Sequence, residues 1–134
     1  MRTALLAFVI FGACGCGLET ETRHRELWRI PHDYHGWIYT HWSTPPCAAL
    51  PISNGYLVIE VPPNGVVCTS STLEEGVAKD RFVYVLAEGG ELELPMSQVH
   101  ERIFAKDSND LYVFIGTSEE FGQVRPSPPA RYGP

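Results

Sequence analysis

The chain has 134 residues, 44% of them hydrophobic, with 10 basic against 16 acidic side chains and a formal charge of −6. That balance argues against nucleic acid as a partner, because binding it needs basic groups on the phosphates. It argues equally against a polybasic membrane surface. The length suits one domain with a single modest core.

Residues 1–16 read MRTALLAFVIFGACGC. Arg2 is a minimal positive start, Ala4 to Phe11 is an unbroken apolar run, and small residues follow. That is the layout of an export signal. The run is far shorter than the roughly 20 apolar residues that span a bilayer, so a permanent transmembrane helix is not expected. Phe11-Gly12-Ala13-Cys14 resembles a bacterial lipobox, with Phe11 in place of the usual Leu. Ala13-Cys14-Gly15-Cys16 offers a second register. The resemblance implies cleavage after residue 13 and lipidation of Cys14, with Cys16 as the alternative. It implies a palmitate-type acyl anchor, durable when more than one chain is attached. Gly15 stands where an aspartate often retains such proteins at an inner membrane, so the outer membrane or cell surface is expected instead. Ordinary cleavage and secretion is the competing reading.

Removing the leader leaves about 120 residues, still one domain's worth. Cys47 and Cys68 are then the only cysteines in the body. An exported chain folds where disulfides persist, and neither cysteine sits in a C-x2-C spacing, so a Cys47–Cys68 disulfide is predicted.

Strand signals follow in order. Residues 17–26, GLETETRHRE, are polar and read as a tether. Leu27 to Ile30 is a short apolar entry closed by Pro31. Gly36 to Trp42 is aromatic and β-branched, and Pro45-Pro46 lies just beyond its end. Asn54-Gly55 is a turn signal. Tyr56 to Val61 is a strong strand, Pro62-Pro63-Asn64-Gly65 a tight turn, and Val66 to Ser70 the return arm of a predicted β-hairpin. Leu73 to Asp80 is the one helical candidate, short because Gly76 interrupts it. Arg81 to Ala87 and Glu91 to Leu94 flank a Gly89-Gly90 turn, the second with edge-like alternation. Val99 to Ala105 reads as a strand with His100 and Arg102 outward. A turn at 107–110 leads to Leu111 to Thr117. The tail from Gln123 carries four prolines and reads as disordered.

Short strands with frequent turn signals and almost no helix predict an all-β fold: an antiparallel β-sandwich of seven or eight strands, of the immunoglobulin or transthyretin kind. The predicted organisation is a lipoprotein signal peptide at 1–13, a tether at 14–26, the sandwich at 27–122 and a proline-rich tail at 123–134. Ile30-Pro31, Tyr34, Gly36-Trp37, Pro45-Pro46, Leu50-Pro51, Asn54-Gly55, Ile59 to Pro62, Gly65-Val66, Thr69 to Ser71, Gly76 and Lys79-Asp80 occur in that order. In this the chain resembles an uncharacterised bacterial family of exported domains over roughly residues 28–86. The resemblance implies membership and a sandwich fold, and no activity.

The stretch HDYHGWIYTHW, residues 32–42, concentrates histidines and aromatics. On a single strand His35, Trp37, Tyr39 and His41 share one face, and Gly36, Ile38, Thr40 and Trp42 the other. His35 and His41 are then roughly 20 Å apart at about 3.3 Å per residue, too far for one ion that binds nitrogen at about 2.1 Å. His32 and His35 remain the candidate metal pair, without an H-E-x-x-H motif around them. Trp37, Tyr39 and Trp42 read either as core or as an exposed face for stacking a sugar or peptide. Cys47 with His41 as a thiol–imidazole pair, and Ser43 with His41, lack the surroundings of a nucleophile. Glu74-Glu75 and Glu119-Glu120 read as solvated surface. The expected function is a non-enzymatic envelope lipoprotein with no cofactor and no catalytic residues. It would bind an envelope protein or cell-wall glycan, or a carbohydrate or small ligand through the aromatic face; a metal-dependent hydrolase is the remaining alternative.

Overall fold

The computed structural model describes residues 17, 20–104 and 108–123. The leader with Cys14 and Cys16, and the proline-rich tail from residue 124, lie outside the described residues. Nine strands are described: β1 (Arg25–Pro31), β2 (Gly36–His41), β3 (Ile52–Ser53), β4 (Tyr56–Glu60), β5 (Val66–Cys68), β6 (Arg81–Val85), β7 (Glu91–Glu93), β8 (Val99–Phe104) and β9 (Asp110–Ile115). A short helix, α1 (Ser118–Gln123), follows them. The strands form a five-stranded sheet, β3-β4-β1-β6-β7, and a four-stranded sheet, β5-β2-β9-β8.

The sheets are mixed, which corrects the all-antiparallel expectation. β1 runs parallel to both β4 and β6, and β2 runs parallel to β5. The other pairs are antiparallel. From β1 the chain crosses to the second sheet for β2 and returns to the first at β3, which runs opposite to β1; the turn at Asn54-Gly55 then reverses it, so that β4 runs parallel to β1.

The predicted hairpin between Tyr56–Val61 and Val66–Ser70 is such a crossing: β4 and β5 lie in different sheets. Pro62 and Pro63 have no N–H with which to continue a ladder. The turn closes instead through Gly65 N–H donating to the Pro62 carbonyl at 2.9 Å. Gly65 has φ +71°, and a Cβ there would collide with the Tyr34 hydroxyl, so the turn needs glycine.

Alternation works as the sequence indicates within each strand. Glu26, Trp28 and Ile30 of β1 point inward, as do Ile38, Thr40 and then Trp42 along β2. Ile59, Phe82, Tyr84, Leu111, Val113 and Ile115 complete most of the layer between the sheets. Trp28 stacks on Phe82 with ring centres 5.5 Å apart.

Residues 73–80 form no helix. Their polar groups are engaged by the segment before β1, so the predicted tether is docked from residue 21 onward. Thr22 N–H donates to the Val77 carbonyl, and Val77 N–H returns a bond to Thr22 Oγ1, both at 2.9 Å. Glu119 and Glu120, expected as solvated surface, instead open the helix α1. Thr117-Ser118-Glu119-Glu120 is a capping box: Glu120 N–H donates to Thr117 Oγ1 at 3.1 Å, and Glu120 Oε2 accepts from Thr117 N–H at 2.7 Å.

Candidate functional site

The aromatic stretch does not form the exposed face considered for it. Trp42 is 2% exposed and lies in the core, its Nε1 donating to Thr40 Oγ1 at 2.8 Å. Trp37, on the other side of β2, is 7% exposed. It belongs to a separate aromatic cluster on the outer face of the second sheet, with Phe114 and Tyr112 from β9 and Tyr39 beside them. Phe121 of α1 closes this cluster, 6.1 Å from Trp37 and stacked on His100 at 5.1 Å. Trp37 and Trp42 therefore face opposite ways and both are covered, so Trp37, Tyr39 and Trp42 cannot grip one ligand together. Tyr39 alone is partly open, and burial raises its hydroxyl pKa.

Four of the five histidines are held by a carboxylate, and His100 Nε2 instead lies 2.9 Å from the Gly116 carbonyl. His32 lies 3.0 Å from Asp33, His35 is 3.1 Å from Glu120, His41 is 2.7 Å from Asp110, and His24 is 2.9 Å from Glu74. Thr117 N–H and His35 both stabilise the charged form of Glu120, holding its pKa below the usual carboxylate value. His32 and His35 thus turn to different partners. Among the described residues no group of three or more His, Cys, Asp or Glu side chains is placed to hold a metal.

Cys47 and Cys68 are joined, with Cα atoms 5.8 Å apart. The bridge ties the loop after β2 to the end of β5. Thr69 Oγ1 donates to the Ala48 carbonyl beside it at 2.9 Å. With the thiol engaged in this bond, the Cys47–His41 nucleophile pair does not exist in this form of the protein.

Two arrangements had no local motif to announce them. The first is a buried polar knot where the chain enters β1. The Arg23 and Glu26 side chains are 4% and 3% exposed and lie 3.5 Å apart. Asp80 Oδ1 accepts from Arg23 Nη1 and from Glu26 N–H, each at 2.9 Å, and Trp28 Nε1 donates to Glu26 Oε2 at 3.0 Å. Burial opposes the Arg23 charge, but its hydrogen bonds to Asp80 and the carboxylates around it outweigh that and raise its pKa.

The second is a groove of about 410 Å³ on the outer face of the first sheet. Its floor is Leu27 and Val58, which are register neighbours, with Arg81 across from Leu27. Arg29 lies between Glu60 and Glu91, at 2.9 and 3.2 Å. Arg81 makes a two-pronged pair with Glu93 at 2.9 and 2.8 Å, which lowers the Glu93 pKa. Tyr56 sits at one end, with the Arg25 and Arg81 guanidinium carbons each 5.9 Å from its ring centre. Alternation in β1 and β4 puts these residues outward, but only the parallel pairing of β4, β1 and β6 sets them side by side.

Residues 22–120 match DUF6843, a family of unknown function. The chain belongs to that family. The DUF6843 match runs beyond both ends of the region where sequence blocks alone carry the resemblance, and it takes in the Arg23 knot and the capping box of α1. The fold is also similar to that of the crystal structure named "Putative Lipoprotein from Bacillus anthracis". The TM-score is 0.62 at 18% identity, covering 82% of this chain and 84% of that one. At that identity the likeness speaks for the fold alone. No curated protein matches the chain.

Proposed function

We propose that this chain is a cell-envelope lipoprotein whose β domain serves as a non-enzymatic binding or structural module. The observation that carries the reading is the Cys47–Cys68 disulfide, a bond that persists in oxidising compartments outside the cytosol. The leader ending at Cys14, with Cys16 as the second register, supports it. So does the name of the structural neighbour, a lipoprotein by its printed description. Residue 21 is already hydrogen-bonded to the domain through Lys79. The few residues between Cys14 and that point reach at most roughly 25 Å when extended. The domain would therefore stand close to its membrane, on the outer membrane or cell surface in this reading. The use of both body cysteines in a structural bond favours a binding role over thiol catalysis.

Fractionation of cells expressing the full chain tests this. Cys14→Ala releases the domain from the membrane fraction if Cys14 carries the lipid. Retention in the membrane with Cys16→Ala also present would overturn the lipoprotein reading.

A further inference from the structure

We propose that the groove on the outer face of the first sheet is a binding site for a neutral oligosaccharide. This deepens the binding-module reading but is independent of the lipid anchor.

The argument starts from charge. The groove contributes Arg29 and Arg81 on one side of the balance and Glu60 and Glu91 on the other. Arg29 is compensated by both carboxylates, and Arg81 by Glu93. A charged ligand gains little there, because any group that attracts it has a neighbour of the opposite sign within a few ångströms. An apolar ligand is disfavoured too, since it would strip water from several ion pairs without replacing those hydrogen bonds. What the groove offers is hydrogen bonding to charged but locally neutralised groups. These are planar guanidinium N–H donors and carboxylate acceptors in one row, which suit adjacent hydroxyls.

Arg29 shows the incompleteness of the row. Its Nε is screened from solvent and makes no aligned hydrogen bond, although Glu91 Oε1 is 3.2 Å away.

The apolar part fits the same ligand class. Leu27 and Val58 form a strip beside the charged row, and the Tyr56 ring stands at its end. A pyranose presents hydroxyls at its edge and C–H groups on its face, matching a polar row beside an apolar strip and a ring. The volume lies within the usual range for small-ligand sites. A peptide is the less suitable occupant. The floor is the face of the sheet, where the backbone groups of β4, β1 and β6 are paired with one another, so no ladder is open for an added strand.

The test uses the full chain with its disulfide intact, in micelles of a zwitterionic detergent, because maltoside detergents carry sugar. Amide shifts are followed by NMR during titration with hexasaccharides of glucose and of N-acetylglucosamine. A hexuronate and an unstructured octapeptide serve as comparators. The expected result is that a neutral hexasaccharide shifts the amides of Leu27, Arg29 and Val58 and leaves those of Trp37 and Phe114 unchanged. Glu60→Gln, at a side chain 62% exposed and so safe for folding, should weaken binding about tenfold, the loss of one hydrogen bond to a charged group. Tyr56→Ala should weaken it by a similar factor. The proposal is overturned if neither neutral sugar shifts the groove amides. It is equally overturned if the shifts map to the aromatic cluster, if the hexuronate or octapeptide binds more tightly than both sugars, or if Glu60→Gln leaves the affinity unchanged.

Discussion

The stretch at 32–42 and the outer face of the first sheet invert what sequence density suggests. The first packs most of the histidines and two of the tryptophans into one strand and its flanks, yet Trp42 is covered by the core on one side and Trp37 by Phe121 on the other. The second is assembled from Arg29, Tyr56, Glu60, Arg81 and Glu91, ordinary residues spread over four strands, and it is the open one. Aromatic residues bury the most area per side chain, so a small sandwich draws them inward. Long charged side chains lie over apolar strips such as Leu27 and Val58 and leave grooves between their paired heads.

That contrast breaks most readily at Trp42. If it is a core residue, Trp42→Ala should cost about 4 kcal/mol of unfolding free energy, measured by denaturant titration. A loss below about 1 kcal/mol would return it to the surface. Replacing both body cysteines, Cys47→Ser with Cys68→Ser, should cost about 3 kcal/mol, the loop-closure contribution of a bridge with 21 residues of separation. A smaller effect is expected from Phe121→Ala. It should cost about 1 kcal/mol, because the ring is only half buried, while shifting Trp37 emission to the red as water reaches it. Unchanged emission would mean that α1 does not cover the cluster.

The latch of α1 gives a pH dependence with a definite sign. The Glu120 pKa is lower in the folded chain than its ordinary value of 4.5. Its contribution is therefore complete above pH 4.5 and is lost as pH falls below that through the folded value. The same Trp37 red shift should appear on acidification below pH 4.5 and be absent between pH 5 and 7. The smallest effect belongs to the groove. Glu60→Gln should change stability by less than about 0.5 kcal/mol, since the residue is exposed, even though it alters what the groove can hold.

Much of the fold is legible in the residues. The alternation of Trp37 against Ile38 and Trp42 places each ring on its correct side of β2, and the compartment inferred from the leader foreshadows the Cys47–Cys68 bridge. Direction is not legible. Pro62-Pro63-Asn64-Gly65 reads as a hairpin turn, and only the pairing of β4 with β1 and of β5 with β2 shows that the chain changes sheets there. The groove shares that limit, because which outward residues become neighbours depends on β1 running parallel to β4 and β6. Leu73 to Asp80 fails as a helix for a tertiary reason, since Thr22 and Glu21 engage the backbone groups of Val77 and Lys79 that a helix would use. The helix that does form at Ser118–Gln123 had a local signal in Thr117 and Glu120.

The most direct measurement is the intact mass of the full chain recovered from membranes of an exporting host. The structure and leader together predict a chain beginning at Cys14, or at Cys16 in the second register. It should carry acyl groups and be lighter by the hydrogens of one disulfide. An unacylated N-terminus, or free thiols at Cys47 and Cys68, would contradict a lipid-anchored, disulfide-stapled envelope domain.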